Sequence, residues 1–213
     1  MMLCMKTRCA VDATGSRLGL FAVVIAVGLV GAAGCSSGNA SAPSTPTPSA
    51  APPAAAPSTP LAAAYHSPDG YSISPPADWI LHPTDGQDGL SVLFGAPTVD
   101  KAAPKPFVDN LNVVITATPE NLDSLVSETK QKYPSVLKNY KVVTDQPITL
   151  PNGQPAHLLG GTSDDERSGS LENIQLILVS AGKEYTITFT SPAASFDSYH
   201  DLIQASLASF TLG

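Results

Sequence analysis

Leu171-Glu-Asn-Ile-Gln-Leu-Ile-Leu-Val-Ser180 and Glu184-Tyr-Thr-Ile-Thr-Phe-Thr190 are separated only by Ala181-Gly182-Lys183. Both runs are dense in β-branched and aromatic residues, and neither contains Pro or Gly. Such composition suits a pleated, packed surface, so these are the two longest strands expected in the chain. In the second run Tyr185, Ile187 and Phe189 alternate with threonines, a period of two that predicts one buried face.

Working outward, shorter runs repeat the pattern. Ser67-Pro-Asp-Gly70 predicts a turn into the strand Gly70-Tyr-Ser-Ile-Ser74, which Pro75-Pro76 stops, and Asp78-Trp-Ile-Leu-His82 starts the next. Leu90–Phe94, Leu111–Thr118, Tyr140–Thr144 and Ile148–Leu150 are apolar and β-branched. Pro151-Asn152-Gly153 is a strong hairpin signal leading into Ala156–Gly160.

Two helices are expected. Thr118 followed by Pro119 reads as an N-cap and first helical residue, with Leu122, Leu125, Val126 and Thr129 on one face and Pro134 as its end or kink. The second spans about Ser195 to Ser209, with Phe196, Tyr199, Leu202, Ile203, Leu207 and Phe210 at helical spacing and Asp197, His200, Asp201 and Gln204 opposite. Helices alternate poorly with strands, and most strands are close neighbours in sequence. This favours an α+β fold, a central antiparallel sheet flanked by helices, in one domain over residues 65–213.

Residues 36–64, SSGNASAPSTPTPSAAPPAAAPSTPLAAA, carry no charge and no aromatic ring. They offer too little apolar surface to offset ordering, so a disordered, partly polyproline tether is expected. Its 29 residues would reach about 90 Å extended or about 30 Å as a coil. Ser/Thr/Pro content also suits O-glycosylation, and Asn39-Ala40-Ser41 fits the N-glycosylation triplet.

Before the tether, Lys6, Arg8 and Arg17 precede the apolar run Leu18–Ala33, and Met5 offers a second candidate start. The run has 16 residues, short for a spanning helix of about 20. Closed by Ala32-Ala33-Gly34-Cys35, it resembles a bacterial lipoprotein signal with its lipobox. The resemblance implies a signal over residues 1–34, cleavage between Gly34 and Cys35, and lipid (palmitate among its chains) on the Cys35 sulfur. An unlipidated signal cut after Ala33 or Gly34, or an uncleaved anchor, are the alternatives. Of three cysteines, Cys4 and Cys9 would be removed and Cys35 kept, so no disulfide is available. One acyl chain binds a bilayer only marginally and two hold firmly. The expected location is the extracytoplasmic face of the cell membrane.

The chain after Gly34 keeps eight basic and seventeen acidic residues, a net charge of −9. That argues against nucleic acid and against anionic lipid headgroups.

The landmarks Pro68-Asp-Gly-Tyr-Ser-Ile-Ser-Pro-Pro-Ala-Asp-Trp79 and Tyr185-Thr-Ile-Thr-Phe-Thr-Ser-Pro-Ala-Ala-Ser-Phe-Asp-Ser-Tyr199, with a helix closing on Ser209-Phe210, resemble the PsbP-like fold that the Ran-binding Mog proteins share. They look most like the LpqN-type lipoproteins of actinobacteria. The resemblance covers residues 65–213 and implies a binding or accessory module and no shared catalytic set. It implies no particular partner.

No residue pattern adds a reaction. Trp79, the single tryptophan, reads as a core residue at a strand end. His66, His82, His157 and His200 lack metal-ligand spacing, and His200 beside Asp201 reads as a surface contact. Asp164-Asp165-Glu166 lacks the spacing of a calcium loop and reads as a solvated hairpin. Ser163 follows Gly161 but stands in no G-x-S-x-G elbow, and Asp123 and Glu128 form no acid/base pair. The expectation is a non-enzymatic, cofactor-free module that docks on cell-envelope proteins. A carrier of lipid or another small apolar ligand, or a hydrolase with an atypical site, are the alternatives.

Overall fold

A computed structural model describes residues 60–84 and 89–213. The expected strand pair becomes β8 (Gly169–Ser180) and β9 (Lys183–Pro192), antiparallel with Leu176 opposite Ile187 and Ser180 opposite Lys183. The connection is therefore only Ala181-Gly182, at φ of 49° and 72°. Positive φ at both turn positions matches the twist of the flanking strands. Gly182 adopts it freely, whereas the Ala181 methyl is strained there.

Around this pair lies a seven-stranded antiparallel sheet. It also contains β3 (Ile80–His82), β4 (Leu90–Gly95), β5 (Asn110–Ala117), β6 (Lys141–Thr149) and β7 (Pro155–Asp165), in the order β3-β4-β5-β9-β8-β7-β6. Three short strands, β1 (Tyr65–Ser67), β2 (Tyr71–Ile73) and β10 (Thr211–Leu212), form a second sheet with β2 central. The runs Tyr140–Thr144 and Ile148–Leu150, expected as separate strands, are one strand through Pro147. Proline lacks the amide proton a central strand needs, and β6 escapes that requirement as the sheet edge. Strand β7 outruns its expected Ala156–Gly160 span and takes in Asp164 and Asp165.

Helix α1 (Leu122–Val136) starts later than expected. Its N-cap is Asn121, whose Oδ1 accepts from Ser124 N at 2.9 Å. Thr118 instead accepts from Glu120 N, and its own amide donates to Gly182 O at the β8–β9 turn. Pro134 sits inside the last turn. The expected second helix divides into a 3-10 turn, Phe196–Tyr199, and α2 (His200–Ala208).

Alternation along the strands sorts side chains onto two faces. One face carries Leu111, Val113, Leu176, Leu178, Ile187 and Phe189. It packs against Ile203 and Leu207 of α2, Phe210, and Tyr71 and Ile73 of the small sheet. Trp79 joins that core, its ring 5.8 Å from Phe189 and 6.5 Å from Tyr199, as expected of a strand-end residue. On the other face Val126 and Tyr133 of α1 pack on Leu159 and Ile177. The sheet dominates and the two helices are short, so the flanking layers are thinner than the sequence suggested. Strand β9 is buried on both faces from Tyr185 to Pro192, a correction to the single buried face read from its alternation.

Ordered contacts begin before residue 65: Leu61 bridges to Pro76, Ala62 N donates to Pro75 O and Ala77 N to Pro60 O. The signal over 1–34, the Gly34–Cys35 cleavage site, Cys35 and the tether up to residue 59 lie outside the described residues. No helix among the described residues is long and apolar enough to cross a membrane.

Candidate functional site

The face beneath α1 is floored by amides and hydroxyls. Strand register aligns Asn112 with Thr188 and Gln175, and Asn110 with Thr190 and Asn173, in two adjacent rows across β5, β9 and β8. These six side chains point away from the apolar core because their neighbours Leu111, Ile174, Leu176, Ile187 and Phe189 point into it. Tyr133 reaches down from α1 and donates to Gln175 Oε1 at 2.7 Å, and Gln175 Nε2 donates to Thr188 Oγ1 at 3.3 Å. The Tyr140 ring stands edge-on to Tyr133, 5.3 Å between centroids, over Gly161. A Cβ at Gly161 would lie 2.7 Å from that ring and 2.5 Å from Lys141 O.

Asn112, Asn110 and Asn173 are 2 %, 3 % and 6 % exposed. Yet the Oδ1 atom of each has no hydrogen-bond partner among the described residues, and neither does the Tyr140 hydroxyl. A buried polar atom left unsatisfied costs about 1–3 kcal/mol. Three amide oxygens without a protein donor on one face make a polar floor that is itself shielded from solvent, the setting in which buried water completes the hydrogen bonding. Burial pushes the Tyr133 and Tyr140 hydroxyls up to about 12, so both stay neutral. The floor is polar and uncharged, and beside Tyr133 burial pushes the Glu184 carboxyl above its ordinary range.

Beside it, between α1 and strands β6 and β7, opens a cleft of about 390 Å³. Asp123, Ser127, Lys130 and Gln131 of α1, Asp145 and His157 line it. Lys130 Nζ pairs with Asp145 Oδ2, and His157 Nε2 meets Asp145 Oδ1 at 2.8 Å. Hydrogen bonds from Lys130 and then His157 hold the Asp145 carboxyl below its ordinary range. With both oxygens taken, Asp145 is a poor base. Ser127 Oγ accepts from Gln131 Nε2 at 3.3 Å, and no hydroxyl among the described residues hydrogen-bonds His157. A histidine–carboxylate pair is present, but not the nucleophile of a triad.

A third cluster joins the segment between β4 and β5 to the 3-10 turn. Tyr199 OH donates to Asp109 Oδ2 at 2.5 Å, and Ser195 Oγ donates to Asp100 Oδ2. Burial raises the Asp109 carboxyl to about 7: the Tyr199 bond pulls it down in part, and the nearby Asp100 charge raises it again.

Of the residues singled out in sequence, Asp123 and His157 share the cleft, and the others do not converge on it. His66 and His82 lie on β1 and β3, and His200 Nδ1 meets the exposed Asp201 at 3.0 Å. Ser163 is a buried β7 residue opposite Leu171. Asp164 and Asp165 end β7, where Asp165 Oδ1 accepts from the Arg167 and Ser168 amides and so closes the turn that includes Glu166. Asp123 lines the cleft, and Glu128 is exposed on α1. Among the described residues no three metal-ligating side chains converge. Asn110, Asn112, Asn173, Asp109 and Asp145 were not singled out. Only the polar residues inside otherwise apolar runs, Asn112 and Asn173, gave a local signal.

Comparison with solved structures bears on the fold. A cyanobacterial PsbP from Synechocystis superposes with a TM-score of 0.54 at 17% identity, covering 73% of this chain and 94% of that one. LpqN of Mycobacterium tuberculosis, described as involved in cell envelope biogenesis, gives 0.53 at 13% identity, covering 70% and 89%. A Pseudomonas aeruginosa protein of unknown function, described as a putative regulator, gives 0.50 at 14%, covering 70% and 94%. No family model matches the sequence, and no curated protein matches it. The domain has the PsbP-like fold, and its structural likeness extends to LpqN.

Proposed function

We propose that this chain is a lipid-anchored, extracytoplasmic module of the cell envelope that binds other envelope proteins and catalyses no reaction of its own. The observation that carries the binding reading is the amide floor beneath α1, where the Asn110, Asn112 and Asn173 oxygens, in two adjacent rows, have no protein donor among the described residues. Such groups are satisfied by enclosed water or by a donor that reaches them. The closed Lys130–Asp145–His157 arrangement argues in the same direction against hydrolysis. Anchoring rests on the Ala32-Ala33-Gly34-Cys35 signature. The structural likeness to LpqN, an envelope protein by its description, agrees with the location.

A small apolar cargo fits less well. The crevice between the sheet and α2, lined by Pro76, Leu111, Phe189, Leu202, Ile203 and Ser206, leaves about 10 Å³, room for no more than one water. Crosslinking in intact cells tests the proposal. The wild type should capture one defined envelope protein, Cys35→Ala should capture it poorly, and Asn112→Leu should weaken capture while staying anchored. Equal capture by all three forms would refute both the tether and the amide row. Turnover in a broad ester and peptide screen would refute the non-catalytic reading.

A further inference from the structure

Residues 129–144 contain four lysines and no acid, half of the eight cations that remain after Gly34 in a chain otherwise strongly acidic. The fold gathers this stretch into one corner: the last turns of α1, the connection through Asn139, and the start of the edge strand β6. The corner also exposes Val136, Val142 and Val143 at 43 %, 47 % and 60 %, three of the six large apolar side chains exposed among the described residues. Val143 stands out because β6 bulges there. Val142 opposes Gly161 and Thr144 opposes Gly160, so Val143 is the extra residue with no partner across the ladder.

Lys138 and Lys141 are exposed and make no ion pair among the described residues, and Lys132 is engaged. Of the acids on the border, Asp145 is paired with Lys130 and His157. Asp164, whose Oδ2 accepts from the neutral Asn139 Nδ2 at 2.7 Å, keeps its charge, so Lys138 and Lys141 stand against one carboxylate.

A basic corner with protruding valines suits an anionic partner with an apolar layer beneath its charge. An added protein strand is disfavoured here, because the bulge, Lys141 and Pro147 are the features that blunt an edge against pairing. We propose that this corner seats the domain on an anionic phospholipid surface. Lys138 and Lys141 would meet the headgroups while Val142 and Val143 enter the interface between them. The acidic balance of the rest of the chain does not forbid this. Charges farther than about 8 Å from the surface are screened at physiological salt, so the local sign decides. The physiological role rests on the tether reading: an anchor at Cys35 holds the domain near the bilayer, where weak contact suffices.

The test removes the anchor, so the two readings fail separately. The chain from residue 35 carrying Cys35→Ala is sedimented with phosphatidylglycerol–phosphatidylcholine vesicles and with pure phosphatidylcholine vesicles. Preferential binding to the former is expected, weakening with added salt. Each surface lysine is worth about five-fold in partition, so Lys138→Gln with Lys141→Gln should cut binding roughly 25-fold. Val143→Ser should cut it several-fold with an unchanged circular dichroism spectrum. Equal binding to both vesicle types, or a preference untouched by the substitutions, would overturn the proposal. So would a dimer, seen by light scattering and lost in the same variants, which would assign the corner to a second copy. Lipidation is read independently from the mass of the Cys35 peptide isolated from cells.

Discussion

Replacing Asp109 by asparagine should abolish a large part of the domain's pH-dependent stability. The residue is 1 % exposed, one oxygen accepts from Tyr199 and the other has no partner among the described residues. Burial lifts its folded value to about 7 from 3.8. Because the folded value is raised, the folded state keeps a proton that the unfolded chain has already lost. Stability is therefore fully present at acid pH and falls as pH rises, by about 1.4 kcal/mol per unit between the two values, flattening above the folded one. The whole shift amounts to on the order of 4 kcal/mol, trimmed to ~3 kcal/mol by residual solvent screening. The carboxamide of Asp109→Asn would keep the shape and the Tyr199 bond but carry no titratable proton. Urea unfolding followed by Trp79 fluorescence reads this directly, since Trp79 packs against Tyr199. Between the unfolded and folded values Asp109→Asn should gain steadily on wild type, and above the folded one the difference should level off. Parallel stability profiles for the two proteins would refute the reasoning, because they would mean that Asp109 ionises in the folded state as easily as in the unfolded one.

Ala181→Gly relieves the positive φ of the β8–β9 turn and should stabilise by about 0.5–1 kcal/mol, read as a rise in Tm. Gly161→Ala should destabilise by ~1–3 kcal/mol or more, because its methyl would meet Lys141 O and the Tyr140 ring; an unchanged Tm would show that Tyr140 can move aside. Tyr133→Phe leaves Gln175 Oε1 without its donor and should cost about 1–3 kcal/mol in chemical unfolding.

The hairpins were legible because each is local. Alternating β-branched runs around Pro151-Asn152-Gly153 and Ala181-Gly182 need no knowledge of distant residues. The helix start was misread because two capping residues compete. Thr118 is tied up at the β8–β9 turn through Gly182, and Asn121 is left to cap Ser124. The amide floor was illegible for a different reason. Asn110, Thr190 and Asn173 meet only through the pairing of three strands, and no local pattern encodes that register. In β9 the alternating threonines looked like a solvent face, yet Thr188 and Thr190 are as buried as Ile187 and Phe189. Summed charge misled in the same way. A total of −9 concealed a run of four lysines that the fold concentrates at one corner.

The small sheet sets a constraint on when the domain can mature. Strand β2 pairs on one side with β1, a few residues upstream, and on the other with β10, and Ser72 Oγ meets Thr211 Oγ1 across 139 positions of sequence. Strand β2 therefore stays without its second neighbour until residues 211–212 have been delivered. A chain threaded through a membrane amino end first would keep this small sheet incomplete during passage. That sheet could close only after the distal segment emerged.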